Sequence, residues 1–211
     1  MKRAYLFDMD GVLVDNCRMD GPHTKAWLEF AKRHGGRLTK EQVIAWMGAP
    51  GRDYLARMFD TMPTPEQAEE LLAEKEAVYR ELYRSEMVAR EGLVEFLEKA
   101  RRADIACAIV TGGPMANVDF VLDNLGLRSY FSHIVDSSQY KRGKPAPDCY
   151  LQGAAKFGVS PADCVVFEDA LNGIEAAKAA NMRVVAIVGT NSRQMLASAA
   201  PDQIIDSFRE L

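Results

Sequence analysis

Short apolar runs alternate with segments of helical periodicity over most of the chain, and this alternation predicts an α/β fold. The apolar runs that predict strands lie at residues 4–7, 105–110, 134–135, 164–167, 184–188 and 204–205. Helical segments separate the later runs, at residues 92–102, 115–125, 147–157, 171–180 and 192–199. Strands that alternate with helices at this spacing predict a Rossmann-like, doubly wound parallel sheet.

The alternation stops between residues 16 and 87, where the pattern is almost wholly helical. Ala26, Trp27 and Phe30 have helical spacing, and Thr39 begins a second helix with a capping-box pattern. Thr64 begins a long helix that we expect to run to about residue 87. We therefore predict a core made of residues 1–15 and 88–211, with an inserted all-helical cap domain at residues 16–87.

Two acidic residues, Asp8 and Asp10, directly follow the first predicted strand. Ligands of open α/β sheets bind beyond the carboxyl ends of the strands, and side chains two residues apart in extended chain point to the same side. Two carboxylates this close repel each other unless a cation lies between them, and Mg2+ suits such oxygen ligands. The alternative is an acidic turn that only ends a strand.

Polar residues also follow the strand predicted at residues 105–110. Thr111, Gly112 and Gly113 offer a hydroxyl and backbone N–H groups ahead of a helix, a combination that binds phosphate oxygens. A plain tight turn explains the two glycines equally well. Lys144 lies in a basic loop between a glycine and a proline, and a purely solvated role is not favoured for it.

Glu168 and Asp169 follow the strand predicted at residues 164–167. Acidic residues are also common at helix starts, which is the structural alternative. Together with Asp8 and Asp10 they make four carboxylates, and the four predict a metal site.

These parts combine into a mechanism of phosphoryl transfer. Asp8 attacks a phosphoryl group, and a metal ion neutralises charge between carboxylate and phosphate. Lys144 and Thr111 hold the remaining phosphate oxygens, and Asp10 moves the proton of the leaving group.

The composition limits the kinds of molecule that we expect the protein to bind. The 211 residues are 48% hydrophobic and 27% charged, and the net charge of -4 argues against nucleic acid or an anionic membrane as a partner. The four cysteines are scattered and predict neither a zinc site nor disulfides. We find no signal peptide and no apolar run of membrane-spanning length. We expect a cytoplasmic monomer that acts on a small phosphorylated substrate.

The order of the four motifs resembles that of the haloacid dehalogenase superfamily of aspartyl-phosphate phosphotransferases. The motifs are Asp-x-Asp-Gly-Val-Leu-Val-Asp from residue 8, Thr111, Lys144 with a following proline, and Glu168-Asp169. The resemblance implies Asp8 as nucleophile and Asp10 as general acid and base. It also implies Mg2+ held by Asp8, the Asp10 carbonyl and Asp169, with Glu168 nearby or also ligating.

The helical insertion is similar to the C1 cap of the subgroup that contains beta-phosphoglucomutase and small sugar-phosphate phosphatases. The resemblance implies substrate-binding cap residues that couple closure to proton transfer and grip a second phosphate: His23, Gly48, Arg52 and Lys75. Three of these residues have a plain alternative: a polar residue at a helix start for His23, a surface charge for Arg52, and a solvated helix face for Lys75. Asn16 departs from the family pattern, where a hydroxyl residue is usual.

Three functions remain open from the sequence. The first is an Mg2+-dependent phosphohydrolase of a small phosphorylated metabolite, a sugar phosphate above all, that works through an aspartyl-phosphate. The second is a phosphosugar mutase, in which the phosphoryl group returns to another hydroxyl of the same sugar. The third is a receiver-like signalling module, which the helical insertion disfavours.

Overall fold

The structure, a computed structural model, describes residues 3–17, 20–46 and 51–211. The chain divides into two compact units by its internal contacts. Met1–Asp15 and Val88–Leu211 form the first, which we call the α/β unit, and Asn16–Met87 form the second, the helical unit.

The described part of the α/β unit contains one six-stranded sheet in which all neighbouring strands are parallel. Its strands are β1 (Ala4–Phe7), β2 (Ala106–Val110), β3 (His133–Val135), β4 (Cys164–Glu168), β5 (Arg183–Ile187) and β6 (Gln203–Ile205). Their order is β3-β2-β1-β4-β5-β6, so the chain starts at the centre and winds outward in both directions. The predicted Rossmann-like, doubly wound sheet is confirmed, and the order reverses between β1 and β4.

Both faces of the sheet are covered, which explains why its strands are continuous apolar runs. On one face Leu6 belongs to a core with residues of α7 and α8. On the other face Phe7 stacks on Phe167 with ring centroids 4.5 Å apart, and Phe96 and Phe208 pack around them. The described helices of this unit are α5 (Leu93–Arg102), α6 (Met115–Leu125), α7 (Asp148–Phe157), α8 (Leu171–Ala179) and α9 (Arg193–Ser198).

The helical unit has its own core, in which Trp27 stacks on Tyr54 at 4.2 Å and Phe30 and Leu55 are buried. Its described helices are α1 (Pro22–Arg33), α2 (Lys40–Ala45), α3 (Gly51–Met58) and α4 (Pro65–Tyr83). The helix α4 ends earlier than predicted, because the chain makes a turn there in which the Glu86 N–H donates to the Tyr83 carbonyl. No helix within the described ranges is long and apolar enough to cross a membrane.

Candidate active site

The predicted catalytic side chains of the α/β unit meet at one edge of the sheet. Asp8 directly follows β1, Thr111 directly follows β2, and Glu168 is the last residue of β4. Parallel strands point their carboxyl ends to the same edge, and the reversal of strand order between β1 and β4 opens a crevice there. The strand topology therefore brings together residues that are far apart in the sequence.

Lys144 joins two of the buried carboxylates. Its ammonium donates to Asp8 Oδ1 at 2.7 Å and to Glu168 Oε1 at 2.6 Å. The ammonium also lies over the Tyr150 ring, with Nζ 5.1 Å from the ring centroid. These contacts contradict the reading of Lys144 as a solvated loop residue.

Glu168 is held on both of its carboxylate oxygens. Its Oε1 accepts from Lys144 and from the Tyr150 hydroxyl at 2.9 Å, and its Oε2 accepts from the backbone N–H groups of Asp169 and Ala170 at 2.8 and 2.9 Å. Gly173 makes room for it, because a Cβ there would lie 1.7 Å from Oε1. A carboxylate has about four acceptor sites, so these four donors occupy all the acceptor sites of the Glu168 carboxylate.

Asp169 is fixed by a loop that follows β5. The Thr190 hydroxyl donates to Asp169 Oδ2, and the Asn191 side-chain amide donates to the Asp169 carbonyl at 2.9 Å. Gly11 is also close to this carboxylate: it has a φ of 81°, and its Cβ, if present, would lie 1.8 Å from Asp169 Oδ2. Only glycine suits that position, in both backbone angle and space.

The turn after β2 is ordered by the Thr111 side chain. The Gly113 N–H donates to Thr111 Oγ1 at 3.0 Å, and the Tyr140 hydroxyl donates to the Thr111 carbonyl at 3.1 Å. Asp10 borders this turn, since a Cβ on Gly113 would lie 3.7 Å from Asp10 Oδ2. Gly112 is beside Tyr140, whose hydroxyl would be 3.8 Å from a Cβ on that glycine. The Gly113 N–H that the sequence offered to phosphate is thus engaged within the turn.

In this buried cluster the carboxylates outnumber the ammonium groups. Burial raises the pKa of Asp8 to about 7, although Lys144 opposes the shift. Burial, then the charges of Glu168 and Asp8, raise the pKa of Asp169 well above its ordinary value. Burial lowers the pKa of Lys144, but Asp8 and Glu168 outweigh it and hold that pKa well above its ordinary value.

This imbalance fits a divalent cation. Asp8, Glu168 and Asp169 are buried, and one carboxylate oxygen of each lies within 4.8 Å of those of the other two. Three carboxylates face one ammonium, so a cation of charge two would neutralise the group. Hard oxygen ligands of this kind bind Mg2+ or Ca2+ rather than softer metals.

The cap residues of the sequence analysis lie in the helical unit. Lys75 is 3% exposed, and its ammonium contacts His23 Nδ1 at 3.2 Å and Glu76 Oε1 at 2.8 Å. It also lies over the Trp27 ring at 5.0 Å, so the solvated-face alternative is wrong. His23 stacks on Tyr79 at 3.9 Å.

The other two cap residues differ from Lys75. The side chain of Arg52 is half exposed, with Glu69 at 4.0 Å. Gly48 lies outside the described residues, so its substrate-binding role stays a prediction.

Thr190, Asn191 and Tyr150 are among the polar residues that contact the site and that sequence reasoning overlooked. Thr190 and Asn191 come shortly after β5, and polar residues after an apolar strand were the same signal that identified Asp8 and Thr111. Tyr150 gives no such signal, because it is a buried aromatic residue within α7 and only its hydroxyl reaches Glu168.

Comparison with known proteins gives relatives of similar length. A family model described as haloacid dehalogenase-like hydrolase matches residues 2–181. Fructose-1-phosphate phosphatase YqaB of Escherichia coli (strain K12) is 34% identical over 180 residues, 85% of this chain and 93% of that protein. The crystal structure of a HAD hydrolase, family IA, variant 3 from Entamoeba histolytica HM-1:IMSS has a TM-score of 0.90 and 29% identity, covering 100% of this chain and 95% of that chain.

One relative is much longer. The Arabidopsis thaliana protein SUPPRESSOR OF QUENCHING 1, chloroplastic, is 31% identical over 212 residues, which cover 97% of this chain. The chain spans 20% of that protein's length. The motif order, the sheet and these matches agree, and the chain belongs to the haloacid dehalogenase-like hydrolase family.

Proposed function

We propose that this chain is an Mg2+-dependent phosphohydrolase that removes the phosphoryl group from a small phosphorylated metabolite, a sugar phosphate, through a phosphorylated Asp8. The observation that carries the proposal is the buried cluster of Asp8, Glu168 and Asp169, in which the Lys144 ammonium bridges Asp8 and Glu168. The similarity to a fructose-1-phosphate phosphatase supports a sugar phosphate as the substrate class.

Asp8 is the residue best placed to be the nucleophile. Lys144 holds its Oδ1, which fixes the carboxylate, and we assign the attack on phosphorus to Oδ2. The bond from Oδ2 to phosphorus forms as the bond to the leaving oxygen breaks. We assign Asp10 to protonate that oxygen and then to take a proton from the water that hydrolyses the acyl phosphate.

Thr111 and Lys144 are proposed to hold the oxygens of the transferred group. Thr111 is buried, and its turn is already ordered by the Gly113 N–H and by Tyr140. A donor that is fixed before the reaction stabilises developing charge without reorganisation. Gly112 and Gly113 keep that turn free of side chains that would obstruct a phosphate.

The metal ligands are proposed to be the carboxylates of Asp8 and Asp169 and the carbonyl of Asp10. Bound there, Mg2+ would neutralise charge between the nucleophile and the phosphate. Glu168 already accepts four hydrogen bonds, which supports a role in orienting Lys144 rather than direct ligation.

The helical unit is proposed to select the substrate. His23 and Lys75 contact each other within it, and Arg52 offers an exposed guanidinium. The contact between His23 and Lys75 also supports the second candidate, a phosphosugar mutase, because the resemblance connects these positions with control of proton transfer.

The test measures phosphate release from sugar phosphates, nucleotides, pyrophosphate and small acid phosphates, with Mg2+ and with EDTA. A coupled assay follows glucose 6-phosphate formed from beta-glucose 1-phosphate. We expect Mg2+-dependent phosphate release that the Asp8→Asn variant lacks while it keeps the native circular dichroism spectrum. Isomer without phosphate release would establish the mutase instead. Near wild-type turnover by Asp8→Asn would remove Asp8 as nucleophile.

A further inference from the structure

We propose that Thr190 and Arg90 are positioning residues for the metal ligand Asp169: Thr190 orients the carboxylate, and Arg90 fixes the loop that carries Thr190. The inference rests on the proposed function, because it takes Asp169 as a ligand of Mg2+. Neither residue belongs to the four motifs of the family resemblance.

The loop of residues 188–191 holds Asp169 at two points. Thr190 donates to Oδ2 of the carboxylate, and Asn191 donates to the backbone carbonyl of the same residue. Side chain and main chain of Asp169 are therefore both tied to one short loop. A ligand fixed in this way loses less rotational freedom when a metal binds, which strengthens binding.

The backbone at Gly11 also lies close to the Asp169 carboxylate. A Cβ on Gly11 would lie 1.8 Å from Asp169 Oδ2 and 3.0 Å from Oδ1, so the backbone of the nucleophile loop lies against the carboxylate. The Asp169 carboxylate thus lies close to the Gly11 backbone and accepts a hydrogen bond from the Thr190 hydroxyl.

Arg90 anchors the same loop at its start. Its Nη2 donates to the Val188 carbonyl, and its Nη1 lies 3.1 Å from Asp15 Oδ2. A Cβ on Gly189 would be 3.1 Å from Nη1, so the guanidinium lies directly against the loop. The Arg90 side chain is 8% exposed, which shows that this is an interior contact.

The contacts of Arg90 extend to the first motif. Its backbone N–H donates to the Leu13 carbonyl at 2.9 Å, and Asp15 is the last residue of that motif. On the far side, the Val188 N–H donates to the Ile205 carbonyl of β6 at 2.9 Å. Val188 therefore connects the loop to the sheet, and Arg90 connects it to the segment that carries the nucleophile. Because the loop is held at these two points, Thr190 keeps a fixed position from which it orients Asp169.

The experiment measures Mg2+ binding to the full chain by isothermal titration calorimetry, without substrate. Two variants change Thr190: Thr190→Val removes the hydroxyl, and Thr190→Ser keeps it. The third, Arg90→Lys, keeps the positive charge but replaces the planar guanidinium by a single ammonium. Thr61→Val, at an exposed position of the helical unit, is the matched control. Thermal unfolding in EDTA checks that each variant is folded.

We expect Thr190→Val to weaken Mg2+ binding by about 10- to 100-fold, the usual effect of removing a partner of a metal ligand. Thr190→Ser and the control should stay within about threefold of the wild type, and Arg90→Lys should lie between them. Excess Mg2+ should then restore kcat of Thr190→Val in the phosphatase assay, because the variant changes how tightly the metal is held and not the groups that react.

The outcomes separate this inference from the function on which it rests. Wild-type protein that binds no Mg2+ would overturn the proposed function and this inference with it. Wild-type binding that Thr190→Val leaves unchanged would overturn the role of Thr190 alone. Equal losses in Thr190→Val and Thr190→Ser would show that the hydroxyl does not matter, and unchanged binding in Arg90→Lys would remove Arg90.

Discussion

The Lys144 ammonium lies between two buried carboxylates, and this position makes it a structural residue as well as a candidate for catalysis. It contacts Asp8 and Glu168 at 2.7 and 2.6 Å, and its side chain is only 11% exposed. Buried charges of this kind contribute little net stability while they are paired. They cost much when one partner is removed, because the remaining charges are left in a medium that solvates them poorly.

Replacing Lys144 by Met should therefore destabilise the protein when no metal is present. We expect the free energy of unfolding by urea, in EDTA, to fall by roughly 3–5 kcal/mol. Lys141→Met, in the same loop but exposed, should change it by less than about 0.5 kcal/mol. A loss in Lys144→Met no larger than in the control would contradict the buried ion pairs.

The raised pKa of Asp8 predicts how stability depends on pH. Its ordinary pKa is 3.8 and burial raises it to about 7, so between these values the folded protein keeps a proton that the unfolded chain has lost. Unfolding then releases protons, and stability in EDTA falls as the pH rises through this window. The raised pKa of Asp169 acts in the same direction.

Urea unfolding in EDTA at about pH 5 and about pH 7.5 measures this dependence. The fall in stability should be smaller in Asp8→Asn, which has no carboxyl to titrate at that position. Adding Mg2+ at the higher pH should restore stability, because a ligand that binds only the folded state stabilises it. If Asp8→Asn loses as much stability as the wild type over this range, Asp8 is not the group responsible.

Site residues were predictable from the sequence where a polar side chain directly follows an apolar strand. Asp8, Thr111 and Asp169 satisfy that rule, and the structure places all three at one edge of the sheet. Tyr150 was beyond prediction because its contact depends on how the helix α7 is rotated against the sheet. Lys75 illustrates the opposite difficulty: two glutamates flank it in the sequence, yet the fold buries it against Trp27.

At the scale of elements, helix starts were more predictable than helix ends. The starts of α2 and α4 carry a capping box, and at α4 the Thr64 side chain accepts from the Gln67 N–H while the Gln67 side chain accepts from the Thr64 N–H. Such a start is specified by local sequence. Where α4 ends depends on a turn that no side chain marks, so the predicted end near residue 87 was too late. The short helix α3 was not predicted as a separate element.

Thr64→Ala should remove the cap of α4 and destabilise the helical unit. The expected loss is about 1 kcal/mol in the free energy of unfolding, since one of the first N–H groups of the helix loses its acceptor. Urea unfolding followed by circular dichroism measures it. Thr61→Ala, at an exposed position that begins no helix, should be neutral. Equal effects of the two variants would show that the box contributes nothing.

At the scale of the whole molecule, the two segments of the α/β unit contact each other at the positions where the chain passes into the helical unit and comes back from it. Val14 and Ala89 form an antiparallel bridge, and the Arg90 N–H donates to the Leu13 carbonyl. Residues 15 and 88 are therefore close in space, and the sheet does not need residues 16–87 to join them.

Replacing residues 16–87 by a flexible linker of about four Gly and Ser residues should leave a folded α/β unit. We expect it to unfold cooperatively in urea and to bind Mg2+ about as tightly as the full chain, because the proposed ligands belong to this unit. Its preference among phosphorylated substrates should decrease, since the helical unit is proposed to select them. Loss of the cooperative transition would show that the α/β unit depends on the helical unit for its stability.

The central place of β1 has a consequence for synthesis on the ribosome. This strand is translated before the helical unit, but its neighbours β2 and β4 follow only after the whole of that unit, at Ala106–Val110 and Cys164–Glu168. The core of the helical unit is made of its own residues, so this unit is able to fold while β1 still lacks its partner strands. Asp8 is therefore made before the helical unit, yet its surroundings are complete only when Asp169 and Thr190 have left the exit tunnel. An incomplete nascent chain would carry a folded helical unit and an incomplete candidate active site.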